Sequence, residues 1–204
     1  MQYEPIKRSV GRVFSGPLFM RKLLYCLLDI ILLRTWHVKK ALRAIRSEIP
    51  HNAVILDAGS GFGQYSWRMS RMNRHWTITG VDIDKDQIEE CTRFFRRAGL
   101  SDRVTFRVAD LASFSDPGKF SLIISVDVME HITDDESVFR NFYSSLGNNG
   151  ILLISTPSDK GGSDAHSHDD ESFIGEHVRN GYSIDELNGK LLSAGFRNID
   201  AKYT

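Results

Sequence analysis

The chain has 204 residues, 41% of them hydrophobic and 25% charged, proportions that are ordinary for a soluble globular protein of one domain with a short appendage. Lys+Arg and Asp+Glu number 26 each, so the charge balance gives no sign of a nucleic-acid partner and we expect none. The two cysteines, Cys26 and Cys91, are far apart in the sequence, which excludes a disulfide framework and a thiolate zinc site. We therefore expect a reducing, cytoplasmic compartment, and we expect the protein to bind no metal.

Residues 1–50 are predicted to form a helical extension that precedes the main domain at 51–204. The apolar run at residues 23–33 is flanked by basic residues, is shorter than the roughly 20 residues of a bilayer span, and contains Asp29. No small-residue cleavage site of a signal peptide follows it. Two interpretations remain open: a helix that packs on the domain and covers its active site, or a segment at 20–36 that lies at the inner face of a membrane.

From residue 53 onward, short apolar runs alternate with amphipathic segments. Strands are predicted at 53–56, 76–81, 104–108, 121–126 and 151–155, with a further one at 196–203, and helices at 64–72, 85–98, 134–146 and 184–194. This alternation predicts βαβ units and a mostly parallel sheet with helices on both faces. Ligands of such sheets bind at the carboxyl ends of the strands, so we expect the chemistry in the loops that follow strands one to four.

The first of these loops is rich in glycine. Gly59, Gly61 and Gly63 occupy alternate positions, which lets the backbone turn sharply and approach a ligand without interference from Cβ atoms. The helix after the loop offers free N–H groups. Taken alone, the loop is equally consistent with an ordinary strand-to-helix turn.

Acidic residues at the next two strand ends give the loop a more specific meaning. Asp82 ends the second predicted strand, where a carboxylate can accept both hydroxyls of a ribose. Asp110 ends the third, where it can accept the amino group of an adenine that Ile83 and Leu111 sandwich. Together with the glycine loop, these acids predict a site for a nucleoside-containing ligand.

The residue that distinguishes two classes of nucleoside ligand is Asp57, two positions before Gly59. Dinucleotide-binding proteins use a GxGxxG loop to hold a pyrophosphate at a helix N-terminus. Here the glycines run GxGxG, and an anion at Asp57 would repel a pyrophosphate but attract the ammonium group of a methionine moiety. The pattern therefore favours S-adenosylmethionine over NAD, and a nicotinamide dehydrogenase is the less favoured alternative.

Several segments resemble the motifs of class I S-adenosylmethionine-dependent methyltransferases. Residues 55–63 look like the first motif of that family, residues 80–83 like the second, and residues 108–110 like the third. Residues 125–132 resemble the strand-four motif of the subgroup that includes quinone-biosynthesis and other small-molecule methyltransferases, and residues 150–157 resemble its fifth strand.

This resemblance implies a Rossmann-like three-layer α/β sandwich. It also implies in-line transfer of a methyl group from S-adenosylmethionine to a small-molecule or lipid-like acceptor, with S-adenosylhomocysteine as product. A non-catalytic S-adenosylmethionine-binding or interaction protein is the alternative. The residues expected to bind the cofactor are Asp57, Gly59, Ser60, Gly61, Gly63, Asp82, Ile83, Asp110, Leu111 and Asp127.

On the acceptor side, His131 is the candidate base because it follows the fourth strand and histidine titrates near neutral pH; a structural histidine is the alternative. The stretch that contains His177, Arg179 and Tyr182 resembles one that lies near the acceptor opening in relatives, so these residues are candidates for binding the acceptor. The alternative is that they lie at the surface or at the start of the following helix.

The family sheet has a seventh strand beside the fifth, and this sequence ends after the expected sixth. An open sheet edge would favour a homodimer.

Overall fold

A computed structural model describes residues 18–31, 33–160 and 178–204. His177 lies outside these residues, and the description does not extend to the side chains of residues 28–33. The helices are α1 (Leu18–Ile31), α2 (Leu33–Ala44), α3 (Gln64–Met72), α4 (Lys85–Arg97), α5 (Asp135–Ser145) and α6 (Ile184–Ala194). The strands are β1 (Val54–Ala58), β2 (Thr77–Asp82), β3 (Val104–Val108), β4 (Phe120–Val126) and β5 (Leu146–Ser155).

The five strands form one parallel sheet in the order β3-β2-β1-β4-β5. Strand β1 is central, and its apolar residues Ile55, Leu56 and Ala58 are 0% exposed, as expected for a strand covered on both faces. The strand order reverses between β1 and β4, which leaves a crevice at their carboxyl ends. The α/β three-layer fold predicted from the sequence is confirmed.

Each face of the sheet has its own apolar core. On one face Met69, Trp76 and Phe94 pack with Tyr25 of α1 and Leu42 of α2, so the N-terminal helices share the core of the sheet. On the other face α5 and α6 pack on the sheet through a cluster that includes Phe114, Phe120, Val138, Phe139, Phe142 and Leu191.

Local side-chain chemistry sets the start of three helices. Asp84 accepts hydrogen bonds from the amides of Asp86 and Gln87 at the start of α4, and Asp134 caps α5 in the same way. Ser183 accepts from the amide of Glu186 at 3.0 Å, as the capping spacing predicted for α6.

Two sequence-based predictions need correction at the β5 side of the sheet. Residues 196–203 form no strand, and within the described residues β5 pairs only with β4. Strand β5 also begins at Leu146 rather than at 151, because Leu146 pairs with Phe120 and a register shift between Phe120 and Leu122 absorbs the intervening polar residues. Within the described residues, no helix is both long enough and apolar enough to span a membrane.

Candidate functional site

The glycine loop after β1 has a backbone that other residues would strain. Gly59, Gly61 and Gly63 have φ angles of 74°, 47° and 75°, all in the left-handed region. A Cβ atom on Gly59 would lie 2.2 Å from Val128 Cγ2, so the loop is packed against the segment after β4. At Gly61 an added Cβ would meet no atom nearer than 3.5 Å, and this part of the loop therefore leaves room for a ligand.

Asp57 is buried at the end of β1, directly before this loop. It is 3% exposed, and its Oδ2 accepts a hydrogen bond from Ser66 Oγ at 2.6 Å. Burial raises the pKa of Asp57 to about 6, although the hydrogen bonds from Ser66 act in the opposite direction. The nearby charge of Asp82 raises this pKa further. A carboxylate in this environment is stabilised by a cation, which is the property expected at a site for an ammonium group.

Asp82 connects the end of β2 to the glycine loop. Its Oδ2 accepts from the amide of Gly61 at 2.8 Å, and its Oδ1 accepts from the amide of Asp84 at 3.0 Å. A carboxylate has about four lone-pair sites, so these two bonds leave capacity for hydroxyl donors. The partly exposed side chain can therefore hold the loop and accept ribose hydroxyls together.

The expected adenine region is only partly as the sequence predicted. Ile83 is 72% exposed beside Asp82, and Asp110 is exposed, with its Oδ1 accepting from the amide of Ala112 at 2.9 Å. Leu111, by contrast, is 5% exposed within the core under α5. Val108 at the end of β3 is 52% exposed and offers a second apolar surface that sequence reasoning did not single out.

An ion pair between Arg34 and Asp127 links the start of α2 to the residue that follows β4. Asp127 has a φ of 56°, a conformation that is uncommon outside glycine and is found at functional turns. Burial raises the pKa of Tyr65 on α3 to about 12, and the charges of Asp127 and Asp57 contribute. The ion pair therefore brings Arg34 to Asp127, although in the sequence Arg34 is only a basic residue that flanks the apolar run.

The segment after β4 exposes His131 and buries Glu130. His131 is exposed at the end of the short turn Met129–His131. Glu130 is 1% exposed and accepts from Thr156 Oγ1 at 3.1 Å, and burial raises its pKa. His131 and Asp127 thus both follow the carboxyl end of β4, and the role of His131 as a base remains a prediction.

Arg179 and Tyr182 meet at a buried carboxylate. Asp135 Oδ2 accepts from Arg179 Nη1 at 2.5 Å and from Tyr182 Oη at 2.7 Å, while its Oδ1 accepts from Lys190 Nζ at 3.0 Å. Burial raises the pKa of Tyr182, which is 2% exposed. These contacts hold residues 178–183 against α5 and α6, and Val178 donates its amide to the Glu130 carbonyl at 3.0 Å.

The described residues fit S-adenosylmethionine in three respects: a buried acid for its ammonium group, an open glycine backbone and an acid at the end of β2 for its ribose. The buried Ser60 Oγ has no hydrogen-bond partner in the described part of the chain, which adds one unused polar group in the loop. Among the described residues, no group of three or more His, Cys, Asp or Glu side chains is placed to hold a metal ion.

Comparison with known proteins identifies relatives of this chain. The model of the methyltransferase domain family matches residues 49–192. A ubiquinone biosynthesis O-methyltransferase of Pelagibacter ubique is 29% identical over 105 residues, which are 52% of this chain and 42% of the relative.

Solved structures show the same fold. Phosphoethanolamine N-methyltransferase 2 of Haemonchus contortus, in complex with S-adenosyl-L-methionine, aligns with a TM-score of 0.72 at 18% identity, over 96% of this chain and 44% of that one. The cyclase SpnF aligns with a TM-score of 0.61 at 26% identity, over 73% of this chain and 52% of that one. The chain thus spans about half the length of these relatives, or less.

Proposed function

This chain belongs to the methyltransferase domain family, and from that premise we propose that it transfers the methyl group of S-adenosylmethionine to a small-molecule or lipid-like acceptor. The observation that supports the proposal most directly is the buried carboxylate of Asp57 behind a loop of three glycines with positive φ. This arrangement favours a cationic ligand group and disfavours the pyrophosphate of NAD.

On this proposal, the cofactor lies across the carboxyl ends of β1, β2 and β3. Asp57 faces its ammonium group directly or through water, Asp82 accepts from the ribose hydroxyls, and Asp110 accepts from the adenine amino group. Ile83 supplies an apolar surface for the ring, and the backbone at Gly61, where a Cβ atom would meet no atom nearer than 3.5 Å, leaves room for the ligand. The remaining proposed contacts are made by Gly59, Ser60, Gly61, Gly63 and Asp127, whereas Leu111 supports the region from within the core.

S-adenosylmethionine, when bound, supplies a methyl group already activated by its sulfonium centre. The protein has to align the acceptor and exclude water, and a base is needed only where the acceptor loses a proton. We assign that base to His131, an exposed residue that follows Asp127 in the segment after β4. Arg179 and Tyr182 contribute to the acceptor side by fixing the segment that leads from His177, through their bonds to Asp135.

Calorimetric titration with S-adenosylmethionine and, separately, with NAD tests this proposal. We expect binding of the first ligand only, and binding of NAD alone would overturn the proposal. Transfer of isotope-labelled methyl groups across a panel of phenols, amines and prenylated quinone precursors then separates an enzyme from a non-catalytic binder. Cofactor binding without transfer to any acceptor would favour the non-catalytic alternative.

We further propose that α1 makes peripheral contact with the inner face of a membrane, as part of a cytoplasmic protein. Phe19, Leu23 and Leu27 recur every four residues on this helix and are 65%, 61% and 49% exposed. Lys22 on the same helix is also exposed and would favour anionic lipids. Such a contact would suit a lipid-like acceptor.

Flotation with vesicles that contain anionic lipid tests the membrane proposal. A Phe19→Ser, Leu23→Ser, Leu27→Ser triple variant should lose vesicle binding. Leu192→Ser, which changes a side chain that is 53% exposed on α6, is the matched control and should keep it. Wild-type protein that stays at the bottom of the gradient would contradict the proposal.

We also propose that the protein forms a homodimer, through self-association at the edge of β5, which pairs only with β4 within the described residues.

A further inference from the structure

The buried face of α1 carries two polar side chains that reach the glycine loop. Arg21 and Tyr25 lie one helical turn apart and are 1% and 3% exposed. Both donate to the same main-chain atom, the carbonyl oxygen of Phe62, from Arg21 Nη2 at 2.7 Å and from Tyr25 Oη at 2.5 Å. Arg21 Nε also donates to Tyr25 Oη at 2.9 Å, which fixes the two side chains relative to each other.

The guanidinium group of Arg21 joins the loop to α4 as well. Arg21 Nη1 donates to the carbonyl of Glu90 at 3.2 Å, and Nη2 lies 3.0 Å from Cys91 Sγ. The Cys91 thiol in turn donates to the carbonyl of Gly61 at 3.3 Å. The guanidinium carbon of Arg21 also lies 4.6 Å from the centre of the Phe94 ring. A planar group with five donors can make these contacts together, whereas the single ammonium of lysine cannot.

The loop is therefore held from two sides. Behind it, both the main-chain amide and the hydroxyl of Ser66 bind Asp57. On the side of α1, the Phe62 carbonyl lies between Gly61 and Gly63, both with positive φ. Its contacts add to the bond that the Gly61 amide makes with Asp82 and to the bond between the Gly63 amide and the Ser60 carbonyl. Contacts at this carbonyl fix the orientation of the peptide units that a ligand would meet.

We infer that Arg21 and Tyr25 are positioning residues, through which α1 sets the shape of the glycine loop for cofactor binding. The inference rests on the proposed function for the identity of the cofactor, although the contacts themselves do not depend on it. Because coupling between two parts of a protein is reciprocal, docking of α1 strengthens cofactor binding, and the bound cofactor stabilises α1 on the domain.

Affinity measurements on three variants test this inference. Tyr25→Phe removes one hydroxyl and should weaken S-adenosylmethionine binding about threefold to tenfold, the range of one hydrogen bond. Arg21→Lys should weaken it by about tenfold or more, because the fork of donors is lost. The control is Val38→Ala, a buried change on α2 in the same core. It should lower the melting temperature and leave the affinity unchanged.

Hydrogen exchange gives a second readout that needs no cofactor. The amides of residues 61–63 should exchange faster in Tyr25→Phe and Arg21→Lys than in Val38→Ala. The comparison requires that Val38→Ala be no more stable than the other two variants, so that a general loss of stability cannot explain the difference. In the wild-type protein, saturating S-adenosylmethionine should slow exchange in α1.

Two results distinguish failure of the inference from failure of the function. Wild-type loop exchange in both variants, or wild-type affinity in both, would overturn the positioning role. A wild-type protein that binds no S-adenosylmethionine would overturn the proposed function instead, and loop exchange would still decide whether α1 positions the loop.

Discussion

At the scale of single residues, Asp57 shows how burial gives an acid a specific role. Its side chain is 3% exposed, and desolvation outweighs the two hydrogen bonds from Ser66, so its pKa rises to about 6. An acid with these properties changes its charge just below neutral pH. Its ionised form gains most from a cationic ligand, since little water is present to solvate it.

Asp57→Ala should weaken S-adenosylmethionine binding by more than about tenfold, the loss expected when a charge-assisted contact is removed. Isothermal titration calorimetry measures the effect. Asp102→Ala, which changes an exposed acid before β3, serves as the control and should bind as the wild type does. Undiminished affinity in Asp57→Ala would show that the acid does not serve the ligand.

The raised pKa of Asp57 also predicts a pH dependence of binding. Asp57 is neutral below its folded-state pKa of about 6 and charged above it, and only the charged form attracts an ammonium group. Affinity should therefore rise by about tenfold between about pH 5 and pH 7, as the ionised fraction rises from about one tenth to nine tenths. Asp57→Asn should show no such rise, and a rise that persists in this variant would assign the titration to another group.

At the scale of elements, Asp135 joins the first turn of α5 to the segment before α6. It accepts from Arg179, Tyr182 and Lys190, and its side chain is only 4% exposed. Three donors around one buried carboxylate satisfy it well. Removal of that carboxylate would leave Arg179 without its carboxylate partner and Lys190 with only the exposed Glu136. The network therefore fixes residues 178–183 beside the end of β4.

Asp135→Ala should lower the free energy of unfolding by about 3 kcal/mol, as expected when one partner of a buried ion pair is removed. Urea denaturation provides the measurement. Glu136→Ala is the adjacent control: its side chain is 63% exposed and paired only at the surface, so it should change stability by less than about 0.5 kcal/mol. Equal losses in the two variants would contradict this account of the network.

At the scale of the whole molecule, the sheet has an asymmetric environment. Strand β1 is central and fully covered, whereas β5 pairs only with β4 within the described residues and its apolar residues are half-buried. An unpaired strand edge with apolar side chains is a template for pairing with another strand. The N-terminal helices pack into the core that α3 and α4 share, on one face of the sheet, and α2 also contacts β5 there.

We expect the chain, prepared as residues 1–204, to self-associate through the β5 edge. Sedimentation velocity over a hundredfold range of concentration should show a shift from monomer to dimer. Ile154→Lys, which places a charge on this edge strand, should move the shift to higher concentration, as lysine does on natural edges. Lys119→Ala, on a loop before β4, should leave it in place. A monomer at every concentration would contradict the homodimer.

Much of this molecule could be predicted from local sequence, because the responsible interactions are local. The helix at Gln64–Met72 and the strand at Val104–Val108 have the predicted bounds, and Ser183 caps α6 as its spacing indicated. Strand β5 was predicted too short, since its first residues pair through an irregular register that no periodicity reveals. Residues 196–203 do not form the expected strand. A strand forms only where its backbone can pair with a neighbouring strand, and the spacing of apolar residues does not show whether such a neighbour is present.

The sequence by itself determined the glycine loop, the acids at the strand ends and the parallel α/β architecture, since these follow from backbone freedom, hydrophobic periodicity and the position of strand ends. Only the tertiary structure decided what those residues contact. It buries Asp57 against Ser66, turns Leu111 into the core, and brings Arg21 and Tyr25 to the loop across more than thirty residues of chain. Such long-range contacts depend on how helices pack, and no local pattern in the sequence records that packing.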